Sequence, residues 1–221
     1  MNVMCVKWGT KYSSEYVNKL YNMVKRNLPV DFTFYCLTED PSGIREEVKC
    51  LPIQSDLEKW WLKFDLLKIF NGPGTHLLFD LDIVIINPLT KLASFKPKRL
   101  TVLETAWKVG MIKPCANDRY PTMYNSSIMM WEGSQAYQIA QRFQQTKVES
   151  LMRYKGVDRF LYNEPIEVDT FPTDIAYSYK LGAKYIEDGT PGKLRPEYEV
   201  CLFNEGADIE TSAEWVKNYW T

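Results

Sequence analysis

The chain has 221 residues, of which 45% are hydrophobic and 14% aromatic, and its formal net charge is -1. That length and apolar content provide one domain with a full core and exclude a disordered chain. A charge this close to zero gives no electrostatic reason to expect nucleic acid or an anionic membrane as partner.

Strand and helix signals alternate through the first half. Val3 to Trp8 reads as a strand ending at Gly9-Thr10. Ser13-Ser14 can cap a helix whose apolar positions Val17, Leu20, Tyr21, Val24 and Leu28 keep helical spacing. Phe32 to Leu37 is a second strand, closed by the turn signal Asp40-Pro41-Ser42-Gly43, and Val48 to Ile53 a third. Ser55-Asp56-Leu57-Glu58 has the form of a capping box, with Ser55 as N-cap and Glu58 reaching back. The helix it predicts carries Trp60, Trp61, Phe64, Leu67 and Phe70 and stops at Asn71-Gly72-Pro73-Gly74. A strand follows, His76 to Ile86, and carries Asp80 and Asp82. This β-α-β-β-α-β order predicts an α/β fold with a Rossmann-like, mostly parallel sheet flanked by helices. In such sheets ligands collect at the carboxyl ends of the strands.

The second half is less regular. Leu100 to Leu103 and Tyr124 to Trp131 read as strands, with Thr105 to Met123 an irregular loop between them. Gln135 to Val148 reads as a helix and Asp158 to Tyr162 as a short one. Short strands are expected at Ile166 to Asp169, Ile175 to Tyr179 and Val200 to Phe203, and a last helix at Ser212 to Trp220. No repeat, low-complexity tract or linker divides the chain.

The five cysteines, Cys5, Cys36, Cys50, Cys115 and Cys201, are odd in number, widely spaced and without Cys-x-x-Cys. Buried free thiols behave as small hydrophobes, so the pattern predicts a reducing compartment. The apolar run of Met1 to Val6 is too short for a signal peptide, Lys7 breaks it, and no stretch has the length of a transmembrane segment. A cytoplasmic location is expected.

Asp80 and Asp82 are the most informative residues. Charges inside so apolar a run are costly unless paired. Strand alternation sends residues i and i+2 to one side, so both carboxylates can converge on one hard cation and leave positions open for a diphosphate. The bland alternative is that the pair merely ends a strand and faces water. Phe79-Asp80-Leu81-Asp82-Ile83-Val84 also fits the Asp-x-Asp pattern of phosphatases whose first Asp is the nucleophile. That reading fails on position, since two or three strands precede the pair. It also lacks a later Gly-Asp or Ser-Asp with a further Asp four residues on.

Beyond the pair, the chain resembles glycosyltransferases of the GT-A fold, especially the family-8-like group and its small bacterial and phage-type relatives. The resemblance runs through Val6-Lys7-Trp8-Gly9-Thr10-Lys11-Tyr12-Ser13, Trp60-Trp61-Leu62-Lys63-Phe64, Phe79-Asp80-Leu81-Asp82 and Tyr124-Asn125-Ser126-Ser127-Ile128-Met129-Met130-Trp131. It implies a single GT-A domain over residues 1–221, with a nucleotide-binding half (1–90) and a half for sugar and acceptor (91–221). It also implies transfer from a nucleotide-sugar, a UDP-sugar by expectation, to a carbohydrate or glycoconjugate acceptor, with Mn2+ or Mg2+ as cofactor. In similar enzymes the first loop holds the nucleotide, which here means Lys7, Trp8, Gly9, Thr10 and Tyr12.

The same resemblance suggests roles for individual residues. Asp82 would bind the metal directly and Asp80 would bridge metal and ribose. Lys63 would reach the diphosphate or an aspartate, unless it is a snorkelling surface lysine. Asn125 and Ser126 would lie beneath the donor sugar, and Asp158 would orient it, although Val157-Asp158-Arg159 keeps only the Asp of the family's Gly-Asp-Gln. Asn204 stands where relatives place a third metal ligand, a histidine, and Glu205 offers a substitute. Trp60 and Trp61 read as core residues and His76 as structural. Two rivals remain. A nucleotidyltransferase would need a more Gly-rich first loop, and a non-catalytic nucleotide-sugar-binding module would account for Asn204.

Overall fold

Strand β1 (Asn2–Lys7) sends Val3 and Cys5 to one side and Met4 to the other, and all three are fully buried. A strand with two apolar faces needs a layer on each. The computed structural model, which describes residues 1–108, 119–183 and 192–221, supplies both layers. The central sheet has seven strands in the order β3-β2-β1-β4-β7-β6-β8. These are β2 (Thr33–Thr38), β3 (Val48–Pro52), β4 (Thr75–Phe79), β6 (Thr101–Glu104), β7 (Tyr124–Glu132) and β8 (Asp169–Thr170) beside β1. The first four are mutually parallel; β7 runs antiparallel to both β4 and β6, and β8 parallel to β6. The mostly parallel sheet is therefore the one expected.

One layer holds α1 (Ser14–Asn27) and a small second sheet of β5 (Ile83–Ile85), β10 (Val200–Leu202) and β9 (Ala176–Ser178), in that order. The other holds α2 (Lys63–Ile69), α4 (Tyr137–Gln145) and α6 (Val157–Asn163). There Phe64 stacks on Phe143 with centroids 3.9 Å apart, and Trp61 stacks on Phe143 at 5.3 Å. Short helices α3 (Thr90–Ser94) and α5 (Lys147–Arg153) and a last helix, Glu214–Tyr219, complete the set.

Three expectations are corrected. The run His76 to Ile86 is two strands in different sheets, because the chain bends at Asp80-Leu81-Asp82. Ser55 caps no helix. Its hydroxyl accepts the Leu57 N–H and donates to Asp65, and the first helical turn, a 3-10 segment, begins only at Lys59. The expected helix Gln135 to Val148 breaks at Thr146 into α4 and α5. Cys5, Cys36, Cys50 and Cys201 are free, while Cys115 and most of the expected loop 105–123 lie outside the described residues. Among the described residues no helix is long and apolar enough to cross a membrane.

His76 is structural, as expected. Its Nε2 faces the Gly72 carbonyl at 3.0 Å, which can only accept, so Nε2 carries the proton and Nδ1 accepts from the Asn2 amide at 3.2 Å. Burial holds its pKa below the ordinary 6.5. Between the lowered value and 6.5 the unfolded chain binds more protons than the folded one, so stability present above pH 6.5 is lost on acidification. Urea melts should show this fall just below pH 6.5, and His76→Gln should flatten it. An unchanged slope in the variant would assign the fall to another group.

Candidate active site

The bend between the two sheets anchors both aspartates through the backbone. The Asp80 N–H donates to the Ser127 carbonyl of β7 at 2.8 Å, and the Asp82 carbonyl accepts the Phe203 N–H, just beyond β10, at 2.9 Å. Each aspartate is thus tied to a different sheet at the carboxyl end of β4. The convergence of the pair is a property of this bend, not of strand alternation.

Lys63 holds Asp80. Its ammonium lies 2.6 Å from Asp80 Oδ1 and donates to the Ser126 carbonyl at 2.9 Å and the Ser126 hydroxyl at 3.1 Å. Only 3% of Lys63 is exposed, which rules out the snorkelling alternative. The aromatic stack through Phe64 fixes α2 against α4, and this points Lys63 inward at the bend. Ser126 is available because β7 bulges there. Its register with β6 jumps from Val102↔Met129 to Leu103↔Asn125, freeing Ser126 to Ile128 from that partner strand.

Asp82 is held from the other side. The Tyr12 hydroxyl donates to its Oδ2 at 2.8 Å, and Lys11 Nζ donates to the same hydroxyl at 2.6 Å. The Tyr12 ring leans on Tyr16 of α1 at 4.8 Å. Burial and the neighbouring Asp80 raise the Asp82 pKa, and Asp82 likewise raises that of Tyr12.

Both aspartates open onto one cleft of about 460 Å³. Val6, Trp8, Thr10, Lys11 and Tyr12 line one side and Lys59, Trp60 and Lys63 another. Gly9, at φ 65, turns the loop after β1, and its N–H donates to Glu39. No atom lies within 4 Å of a Cβ built there, so the glycine serves the backbone turn and not a close approach. Lys7 is buried at the end of β1, behind the loop.

The remaining expected residues do not line this cleft. Asp158 lies in the first turn of α6, where its Oδ1 accepts the Ser126 N–H at 2.9 Å, so it shares Ser126 with Lys63. Burial raises its pKa against the opposing pull of Lys63. Asn125 turns its Oδ1 onto the Ser127 N–H at 3.0 Å, satisfying its own strand. Asn204 follows Phe203, beside the Asp82 backbone, and its Oδ1 accepts the Ser178 hydroxyl at 2.6 Å. The Glu205 carboxylate pairs with Lys108 at 2.7 Å.

These residues fit a hard divalent cation. Two carboxylates line one cleft, and among the described residues Asp80 has a direct cationic partner while Asp82 has none, so the charge of Asp82 is under-compensated. Asn204 adds an amide oxygen nearby. Among the described residues no group of three His, Cys, Asp or Glu side chains gathers into a metal cage. With an ion bound, the two carboxylates would leave coordination positions open for a phosphate ligand.

Sequence reasoning missed Trp60, which is 48% exposed and lines the cleft while its neighbour Trp61 is buried. A helix running on from Leu57 would bury one face by periodicity. Lys59, at φ 56, interrupts that periodicity, and no pattern signals a left-handed lysine.

No protein-family model matches the chain, and no curated protein matches it by sequence. Its fold is similar to that of the glycosyltransferase GlyE of Streptococcus pneumoniae TIGR4, with a TM-score of 0.68 and 12% identity. The match covers 99% of this chain and 60% of GlyE. An active-site mutant of LgtC matches at TM-score 0.66 and 10% identity, over 99% of this chain and 93% of LgtC. The galactosyltransferase LgtC in complex with donor and acceptor sugar analogs matches at 0.62 and 11%, over 95% and 89%. The likeness is one of fold, and it is the GT-A arrangement expected from the motifs.

Opposite effects on stability are expected at the two ends of the carboxylate pair. Asp82→Asn keeps an acceptor for Tyr12 and removes a buried charge. It should raise the Tm of the metal-free protein at pH 7, because burial and Asp80 both disfavour the charged form of Asp82. Lys63→Met strands Asp80 and should cost about 3 kcal/mol. Thermal melts of both variants without metal decide this, and a destabilised Asp82→Asn would mean that the charge is already compensated.

Proposed function

We propose that the protein is a metal-dependent glycosyltransferase that moves a sugar from a nucleotide-diphosphate donor, taken as a UDP-sugar, to a carbohydrate or glycoconjugate acceptor. The observation that carries this reading is the convergence of Asp80 and Asp82 on a cleft at the carboxyl ends of parallel strands. Its fold is shared with GlyE and LgtC, and a complex of LgtC holds donor and acceptor sugar analogs.

Asp80 and Asp82, with Asn204, would hold Mn2+ or Mg2+. When bound, the ion supplies positive charge against that building on the departing diphosphate. The protein's own residues organise the rest. Lys63 sets Asp80 and Tyr12 sets Asp82, so both carboxylates are fixed before ligand arrives. Residues Lys7 to Tyr12 take the nucleotide, with Trp8 and Thr10 on the cleft wall. Asp158 keeps one carboxylate oxygen beyond its bond to Ser126, and Asn125 keeps its amide nitrogen. Both are free to orient sugar hydroxyls. Residues 1–90 thus form the nucleotide half and 91–221 contribute the sugar and acceptor half.

A second reading, a binding module without turnover, draws support from the fact that among the described residues no third His, Cys, Asp or Glu joins the aspartate pair. Metal-stimulated donor hydrolysis separates the two. UDP with Mn2+ should raise Tm more than either alone, as expected for ligands that bind the native state together. Asp82→Asn should abolish that cooperative shift and any Mn2+-dependent hydrolysis of UDP-sugars. Full metal-dependent turnover in the variant would reject the site assignment. A larger shift from GDP would reject only the base.

Asn204 gives a separate test. Asn204→His supplies a nitrogen ligand in place of an amide oxygen and should tighten Mn2+ binding in the presence of UDP by about ten-fold or more. Unchanged affinity by calorimetry would mean that the metal is held by the aspartates and the diphosphate alone.

A further inference from the structure

Trp60 has no partner in the core. It belongs to neither buried apolar cluster, stands 48% exposed, and lines the cleft that holds Asp80 and Asp82. Half-exposed tryptophan on a concave wall presents ring surface to a ligand, and here the Lys59 ammonium stands over the ring at 6.0 Å, the outer limit of cation–π contact. Two features hold it there. Lys59 adopts φ 56, a conformation that side chains other than glycine's rarely take, and so sets the turn that carries Trp60. Gly156 closes against the indole, where an added Cβ would come within 3.3 Å of Nε1.

The neighbours of Trp60 indicate which part of a ligand it meets. The nucleotide loop is on the wall formed by β1. Trp60 instead packs against Gly156 at the start of α6, two residues before Asp158, whose carboxylate holds Ser126. It also precedes Lys63, the partner of Asp80, by one helical turn. A moiety attached directly to a phosphate at the carboxylates falls within reach of that wall.

We propose that Trp60 is a stacking platform for a pyranose ring, binding the apolar C–H face of a donor or acceptor sugar. This rests on the proposed function, whose nucleotide site it extends. Trp8 and Tyr12 are less suited, because Trp8 packs against the core beside β1 and Tyr12 is engaged with Tyr16 and Asp82.

Calorimetry with Mn2+ on wild type, Trp60→Ala and Trp60→Phe tests it, using UDP, GDP, UDP-glucose, UDP-galactose and GDP-mannose as probes. Covering one ring face removes roughly 55 Å² of apolar surface from water, so Trp60→Ala should weaken sugar-nucleotide binding by about ten-fold. Bare nucleotide should bind within about two-fold of wild type, and Trp60→Phe should keep most of the increment. Gly156→Ala, which displaces the indole, should lower the same increment and spare UDP. For an acceptor-side platform, donor binding and hydrolysis stay unchanged in Trp60→Ala, while transfer to a hexose or disaccharide acceptor panel shows a KM raised about ten-fold. Wild-type-like behaviour in both arms overturns the inference, as does equal weakening of nucleotide and sugar-nucleotide. A wild type that binds no nucleotide overturns the proposed function and this inference with it.

Discussion

One buried ion pair organises the cleft. Lys63 reaches from the start of α2 to Asp80 and to both oxygens of Ser126, joining a helix, the bend after β4 and the bulge of β7. A nearly inaccessible ammonium is tolerable only with such partners, and removing any of them leaves a costly unpaired group. The packing around it serves that geometry. Phe64, Phe143 and Trp61 form a stacked aromatic block that prevents α2 from rotating, and rotation would withdraw the lysine.

The two aspartates have different electrostatic settings although they are two residues apart. Asp80 faces a cation and Asp82 faces a phenol hydroxyl, so burial and repulsion raise the Asp82 pKa. A site that leaves one charge under-compensated has room for a cation. The same feature makes the folded chain less stable than it could be, a relation common where a fold supports a functional site. The hydrogen bond from the Phe203 N–H to the Asp82 carbonyl also ties the carboxyl-terminal part of the chain to the bend that carries the aspartates.

How much was legible in the sequence depends on the kind of signal. Apolar runs such as Val3 to Trp8 and Leu77 to Phe79 mark strands buried on two faces, because nothing but a layered sheet satisfies them. The order of strands and helices then implied the parallel sheet and the edge at which the cleft opens. The aspartate pair was legible for the same reason, since two charges next to isoleucines and leucines have few other uses. Cap and turn chemistry was less informative. Ser55 matched a capping box but formed a local turn with Leu57 and a bond to Asp65, because the chain needs a 3-10 turn there to place Lys59 and Trp60.

The sequence by itself determined the strands, their order, the two carboxylates and the loop of Lys7 to Tyr12, because burial and backbone preference act over neighbouring residues. Only the tertiary structure decided which partners those groups have. That Asp80 meets Lys63, that Asp82 meets Tyr12, and that Asp158 shares Ser126 with Lys63 are contacts across 17, 70 and 32 positions of chain. Glu205 turned to Lys108, Trp60 turned to the cleft, and Asn125 turned to its own strand for the same reason. A side chain's direction is set by the sum of packing around it, and no local pattern contains that sum.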